Sequence, residues 1–266
     1  MFVKNLDHLN LKQIAESGQC FRFKEIEENK YSTVAFGRYL EVTQKGDEFT
    51  FSCDEDEYEK IWASYFDTKT DYAAIEKLIL SSNDDHLKEA FKEGYGIRIL
   101  RQDLWEMIVT FIISQNNNIK RITNSVEAIC QKAGRKTDCK RGCILPEPGD
   151  IREGFFMDKT LGLGYRDSYL EEIYSYAVNN PGWTDSLKGM DYETAMETLV
   201  ERKGIGKKVA NCICLFGLHH VEAFPIDTHV KQLLEKYYPK GFDFERYEGI
   251  AGIIQQYLFY YELKHK

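Results

Sequence analysis

The chain's hydrophobic spacing predicts an α+β fold, with an N-terminal antiparallel sheet domain over residues 1–95 and a mostly α-helical domain over residues 96–266. Three observations carry this reading. Residues 1 to about 53 alternate apolar and polar side chains as strands do. From Tyr58 the period lengthens, with Tyr58, Ile61, Trp62 and Tyr65 on one helical face and Tyr72, Ile75 and Leu78 on another. Beyond Gly94 and Gly96, where the first domain is expected to end, helical stripes dominate.

With 266 residues, 43% of them hydrophobic, the chain is long enough to bury a substantial core. No apolar run reaches membrane-spanning length, and the first residues lack the basic and apolar regions of a signal peptide, so an intracellular protein is expected. The seven cysteines are odd in number and scattered, which fits reduced thiols. Cys139 and Cys143 have the spacing of half a metal site, but no second pair or nearby histidine completes it, so neither metal nor cofactor is expected. The net charge of −8 argues against a generic polyanion binder, and any nucleic-acid affinity must come from a local basic surface. The acidic run from Asp54 to Glu59 reads as a solvated face.

In the first domain the expected strands are Cys20–Phe23, Tyr31–Phe36 and the stretch 38–53, the last broken into a hairpin at Lys45, Gly46 and Asp47. Leu104, Met107, Ile108, Phe111 and Ile112 then form an i, i+3, i+4, i+7, i+8 stripe, and Ile119, Ile122, Val126 and Ile129 a second. Between these helices lie Gln115, Asn116, Asn117 and Asn118, poor helix formers that suit a corner displaying amides, followed at once by Lys120 and Arg121. Leu161-Gly-Leu-Gly-Tyr-Arg166 offers glycines for close backbone approach and an aromatic beside a guanidinium, a pair that serves either to stack on a base or to pack a helix start.

The segment 201–216 carries the most chemistry. Gly204 and Gly206 flank one apolar residue, so the turn is free to take positive φ and bring its N–H groups near a phosphate, with Arg202, Lys203 and Lys207 adding positive charge; a C-capping glycine in a plain corner fits the same pattern. Lys208 begins a second helix among Val209, Ala210, Ile213 and Phe216, and partial desolvation there suits a nucleophilic amine. Further on, Pro225-Ile-Asp227 places a carboxylate where a new helix starts, either as an N-cap or as a catalytic group. The last helix has a core face of Ile250, Ile253, Ile254, Tyr257, Leu258 and Tyr261, which leaves Gln255 and Phe259 together off that face, turned to a flat ligand or to a neighbouring loop.

A G-x-G hairpin, a lysine two residues on and Pro-x-Asp about twenty residues after the lysine resemble the helix-hairpin-helix (HhH-GPD) superfamily of DNA base-excision glycosylases. The lysine marks the bifunctional glycosylase/lyase branch. Across nearly the whole chain, the order Ser17-Gly-Gln-Cys-Phe-Arg22, Arg101-Gln-Asp103, Ser114-Gln-Asn-Asn-Asn118, Leu161 to Arg166, Gly204 to Cys212, Pro225-x-Asp-x-His229 and Gln255-x-x-x-Phe259 resembles the 8-oxoguanine DNA glycosylases/AP lyases of the OGG type.

The resemblance implies an enzyme that flips 8-oxoguanine out of duplex DNA, cleaves its glycosidic bond through a lysine Schiff base and nicks the strand by β-elimination. It implies Lys208 as nucleophile and Asp227 as acidic partner. Cys212 and Phe259 would bracket the damaged base, Gln255 would read its Watson–Crick edge, and the Gly18 carbonyl would accept the N7 hydrogen of the oxidised base. Asn116, Arg121, Tyr165 and Arg166 correspond to the wedge and the readers of the orphaned cytosine; Gly204, Gly206, Lys207 and His229 correspond to DNA contacts. The implied partner is double-stranded DNA carrying 8-oxoguanine opposite cytosine, bound by a monomer away from any membrane, in the nucleoid or a nucleus. The sequence departs from the family pattern where Arg202-Lys203 replace Leu-Pro and where Asn211 replaces an acidic residue before Cys212. A monofunctional purine glycosylase has no use for Lys208, and its iron–sulfur forms need a cysteine cluster that does not follow Cys214. A non-catalytic hairpin module for DNA binding needs neither Lys208 nor a pocket in the last helix.

Overall fold

The computed structural model describes residues 1–265. Five strands, β1 (Phe2–Asn5), β2 (Lys24–Glu27), β3 (Lys30–Ala35), β4 (Arg38–Lys45) and β5 (Glu48–Phe51), form one antiparallel sheet in the order β1-β5-β4-β3-β2. The β4–β5 hairpin closes where the sequence predicts: Lys45 pairs with Glu48 across a two-residue loop, and Gly46 has φ +62°. The expected strand Cys20–Phe23 is not one. Its alternating apolar residues are buried loop anchors, and the strand is the polar segment after them, β2.

Helices α1 (Leu11–Glu16), α2 (Glu55–Glu57), α3 (Ala63–Tyr65), α4 (Tyr72–Leu80) and α5 (Asp85–Gly94) belong with the sheet; a π-helical turn, Tyr58–Trp62, joins α2 to α3. The core of this region is aromatic: Phe51 lies 4.7 Å from Tyr58 and 5.9 Å from Phe66, centroid to centroid, and all three are fully buried. Burying each such ring stabilises the fold by on the order of 2–3 kcal/mol. On α4 the buried residues are Tyr72, Ile75 and, in place of the expected Leu78, Ile79, a spacing of three and four that keeps one face inward, and α4 packs against α5.

The helices that follow are α6 (Leu104–Ser114), α7 (Ile119–Ala133), α8 (Asp167–Asn179), α9 (Trp183–Lys188), α10 (Tyr192–Val200), α11 (Lys207–Ile213), α12 (Thr228–Tyr237) and α13 (Ala251–Lys264). None among the described residues is long and apolar enough to cross a membrane.

By internal contacts the chain forms two compact units. The first comprises Met1–Ser32, Leu40–Arg101 and Val221–Lys266, and the second Thr33–Tyr39 and Gln102–His220. This grouping differs from a division of the chain at residue 95, because α12 and α13 return to the first unit. There α13 packs on α5: Tyr257 meets Phe91 edge-on at 5.2 Å, and a side chain on Gly94 would approach Tyr257 to 3.2 Å. In the second unit, α6 is buried along its whole length from Leu104 to Ile113, not on one stripe alone, and α7, α8 and α11 pack around it.

Candidate functional site

The second unit holds the hairpin. After α10 the chain turns through Arg202 and Ile205, the Ile205 N–H donating to the Arg202 carbonyl at 3.0 Å, and buried Ile205 anchors the turn. Gly204 has φ +87°, and a Cβ there would fall 2.5 Å from Tyr169 Cγ, so both backbone conformation and packing demand glycine. Gly206 behaves differently from the sequence expectation. It is extended (φ −86°, ψ 173°), forms the N-cap of α11 and faces open space at its Cβ position. A bare backbone edge results, flanked by the exposed Lys203 and Lys207, neither of which has an ion-pair partner among the described residues. Unpaired local positive charge of this kind is what a chain of net charge −8 needs to hold a polyanion.

Lys208, one residue into α11, is half-buried. Its Nζ lies 5.7 Å from the centroid of the Phe111 ring and has no hydrogen-bond or ion-pair partner among the described residues. Phe111 is itself stacked with Phe216 at 5.5 Å. Asn211 holds the first turn of α11 instead of placing charge beside the lysine: its Nδ2 donates to the Lys207 carbonyl at 3.0 Å and its Oδ1 accepts from the Tyr192 hydroxyl at 2.7 Å. Arg202 turns aside to pair with Glu201 and cover the Tyr176 ring. Cys212 is buried on the same helix.

The corner between α6 and α7 meets the Leu161–Arg166 turn. Asn116 takes a left-handed conformation (φ +46°), which asparagine tolerates better than most residues, and its Nδ2 donates to the Tyr165 hydroxyl at 3.4 Å. Tyr165 and Asn116 are exposed. Asn118 caps α7, accepting from the Arg121 N–H at 3.0 Å, and the Arg121 side chain is exposed without a partner among the described residues. Arg166 is not exposed: its guanidinium donates to the carbonyls of Gln115 (from Nε, 2.8 Å), Leu163 (3.0 Å) and Asn116 (3.0 Å).

In the first unit, Gly18 (φ +75°) lies against Phe259, whose Cε1 would be 3.3 Å from a Cβ on the glycine. The turn is pinned from two sides: Gln256 Nε2 donates to the Ser17 carbonyl at 3.3 Å, and Gln19 Nε2 donates to Ser17 Oγ at 3.0 Å and to the Arg98 carbonyl at 2.9 Å. Gln255 is 4% exposed; its Nε2 donates to the Pro225 carbonyl at 3.3 Å, while its Oε1 is buried with no hydrogen-bond partner among the described residues. A buried carboxamide oxygen left unpaired costs about 1–3 kcal/mol, a cost that a donor on a bound ligand removes. Phe259 is half-buried, packed against Phe224, Val230 and Ala251. Asp227 caps α12, its Oδ1 accepting from the Val230 N–H at 2.8 Å, and its other oxygen is without a partner among the described residues. His229 is exposed in the first turn of α12.

The structure therefore gathers Gly18, Gln255, Phe259, Asp227 and His229 in one unit, and Lys208, Cys212, Asn116, Arg121, Tyr165, Arg166 and the hairpin in the other. Sequence reasoning missed Gln256, whose signal is a carboxamide beside Gln255, and the supporting roles of Gln19 and Gln115, which stand within the motifs Ser17–Arg22 and Ser114–Asn118. Among the described residues no group of three or more His, Cys, Asp or Glu is arranged to hold a metal ion.

The arrangement is a glycine hairpin between two helices, with a lysine lacking a polar partner among the described residues on the second and an aspartate capping a later helix. Residues 1–108 match the model of the 8-oxoguanine DNA glycosylase N-terminal domain. The structure superposes with a TM-score of 0.90 on the 8-oxoguanine glycosylase/lyase of Clostridium acetobutylicum in complex with double-stranded DNA containing cytosine opposite 8-oxoguanine, at 31% identity over 100% of this chain and 98% of that one. An N-glycosylase/DNA lyase of Saccharomyces cerevisiae is 34% identical over 54% of this chain, a match that spans only 42% of the yeast protein's length. A probable N-glycosylase/DNA lyase of Methanothermobacter thermautotrophicus is 29% identical over 73% of this chain and 71% of its own. The chain belongs to the 8-oxoguanine DNA glycosylase/lyase family.

Proposed function

We propose that the protein is a base-excision repair enzyme that removes 8-oxoguanine from duplex DNA opposite cytosine and then nicks the strand. The observation that carries this reading is the Lys208 amine, half-buried over Phe111 and unpaired, on the helix that leaves the glycine hairpin. A base within a duplex shields its sugar, so the nucleotide must leave the stack, with Asn116 and the exposed Tyr165 ring filling the gap. Arg121 and Arg166 are assigned to the orphaned cytosine; Arg166 has one N–H left beyond those given to main-chain carbonyls. Gly204, Gly206, Lys207 and His229 are assigned to the DNA backbone.

For the flipped base, Phe259 provides a face for stacking and Cys212 a second apolar contact, and the orphaned Gln255 Oε1 accepts from an N–H of the Watson–Crick edge. The Gly18 carbonyl accepts the N7–H that 8-oxoguanine has and guanine lacks. In the chemical step the Lys208 amine attacks C1′; the glycosidic bond breaks and its electron pair leaves on the base. Asp227, its orientation fixed by capping α12, stabilises the positive charge that develops on the sugar. The nitrogen then loses a proton and the C1′–O4′ bond opens, its electron pair leaving on O4′ as a hydroxyl, which gives an iminium; the iminium acidifies C2′–H, and loss of that proton expels the 3′ phosphate by β-elimination. The work is done on DNA, so the protein is assigned to the cytoplasm in association with the nucleoid, or to a nucleus; it is assigned as a monomer.

The test follows base release and strand scission separately on a duplex with one 8-oxoguanine opposite cytosine. Both products are expected. Base release without scission would make the protein monofunctional, and tight binding without either product would make it a DNA-binding module.

A further inference from the structure

We infer that Gln115 is a positioning residue that couples readout of the base opposite the lesion to the placement of the Lys208 nucleophile, an inference that rests on the proposed function. Gln115 ends α6 in an extended conformation (φ −60°, ψ 124°) and has hydrogen bonds in two directions. Its main-chain carbonyl accepts from the Tyr165 hydroxyl at 3.3 Å and from Arg166 Nε at 2.8 Å, with Arg166 Nη2 also in contact. Its side-chain Nε2 donates to the Ile112 carbonyl at 3.0 Å and to the Gly204 carbonyl at 2.9 Å. A carboxamide nitrogen has two N–H groups, and both are used. A glutamate there would turn acceptor oxygens toward two carbonyls, and an apolar side chain would leave the Gly204 carbonyl without its donor.

One residue thus touches Arg166, assigned to the orphaned cytosine, and Tyr165, assigned to the gap in the stack, through its backbone, and the hairpin through its side chain. The hairpin end of the link is stiff. Gly204 packs against Tyr169, whose ring in turn meets Tyr165 edge-on at 5.8 Å, so a second path of packing runs parallel to the hydrogen bonds. Gly206, two residues beyond, caps the helix on which Lys208 is the second residue. Phe111, one helical turn before Gln115 on α6, is the ring under the Lys208 amine. A shift of Tyr165 and Arg166 on meeting a wrong partner base therefore reaches the start of α11 through Gln115 and the end of α6.

The test compares wild type with Gln115→Met, which keeps length and volume but loses both donors. Single-turnover excision of 8-oxoguanine is measured opposite cytosine and opposite adenine, alongside DNA affinity and melting temperature. Loss of one net hydrogen bond from the link corresponds to roughly a fivefold change. The expected result is a fall of about that size opposite cytosine and less than about twofold opposite adenine, with affinity for damaged duplex nearly unchanged. Equal falls opposite both bases would show a merely structural role, and unchanged rates would show no role; either overturns the inference. If Gln115→Met does not fold, Gln115→Asn decides, because it stays polar but is one methylene too short to reach Gly204. A wild-type protein that excises equally opposite both bases leaves nothing to couple and also overturns it. A wild type that releases no 8-oxoguanine at all fails the proposed function instead, so the two failures are distinct.

Discussion

The Lys208 amine stands 5.7 Å from the centroid of the Phe111 ring, and that ring is stacked on Phe216, so the apolar wall beside this amine is itself immobilised from within the second unit. Phe111→Leu removes the wall while keeping the position apolar. We expect it to slow excision by on the order of tenfold through looser placement of the amine, and to cost about 1–2 kcal/mol of stability through the space left behind. Single-turnover rates and thermal melts of the same preparation check the two effects. A slower variant with an unchanged melting temperature would deny the packing part, and an unchanged rate would deny the placement.

The two hairpin glycines separate stability from binding. Gly204→Ala puts a Cβ 2.5 Å from Tyr169 Cγ at φ +87° and is expected to cost about 2–4 kcal/mol, seen as a large drop in melting temperature. Gly206→Ala meets no atom within 4 Å and an ordinary backbone, so stability should stay within about 0.5 kcal/mol. Its methyl stands on the bare edge where a phosphate would approach, and DNA affinity should fall. If Gly206→Ala binds DNA as wild type does, the phosphate does not approach there.

Gln256→Leu releases the Ser17 carbonyl and with it one side of the turn that presents Gly18. A fixed carbonyl gains a hydrogen bond from the N7–H of 8-oxoguanine and faces a lone pair on guanine, a difference of about 1–3 kcal/mol. The substitution should shrink the excision ratio of 8-oxoguanine to guanine roughly fivefold. An unchanged ratio would mean that the N7 contact does not carry the discrimination.

His86 gives an expectation for pH. Its ring stacks on Tyr237 at 3.7 Å, its Nδ1 lies 3.2 Å from the Tyr238 hydroxyl, and burial holds its pKa below the ordinary 6.5. The unfolded chain therefore binds this proton more tightly than the folded one, and stability falls as pH drops through 6.5 toward the lower folded value. Melts at pH 7.5 and 5.5 should show a smaller acid loss for His86→Asn than for wild type. Equal losses would place the acid sensitivity elsewhere.

What the sequence made legible was local chemistry. The Gly46 hairpin, the Asp227 cap and the Gly204 turn each follow from a residue's own conformational and hydrogen-bonding preferences, and each is found in place. What it hid depends on packing between distant segments. The Leu161–Arg166 stretch left open whether Arg166 faces a ligand or packs, and its guanidinium is bound by carbonyls some fifty residues away. Ile119 belongs to a helical stripe but is 51% exposed, since α7 turns its first residue outward at the Asn116 corner. On α13 it is Tyr260 that is buried, while Tyr261, expected on the core face, lies only half-buried beside His86. The return of α13 to α5 is legible from no local pattern.

The central claim is that the Lys208 amine forms a covalent bond with the sugar of the damaged nucleotide. Borohydride reduction of the protein mixed with a duplex carrying 8-oxoguanine opposite cytosine should give a stable protein–DNA adduct, and peptide mapping should place the DNA on Lys208. Lys208→Gln should bind the duplex with little loss and yield no adduct. An adduct that persists in Lys208→Gln, or one that maps to Lys207 in the wild type, would contradict the account.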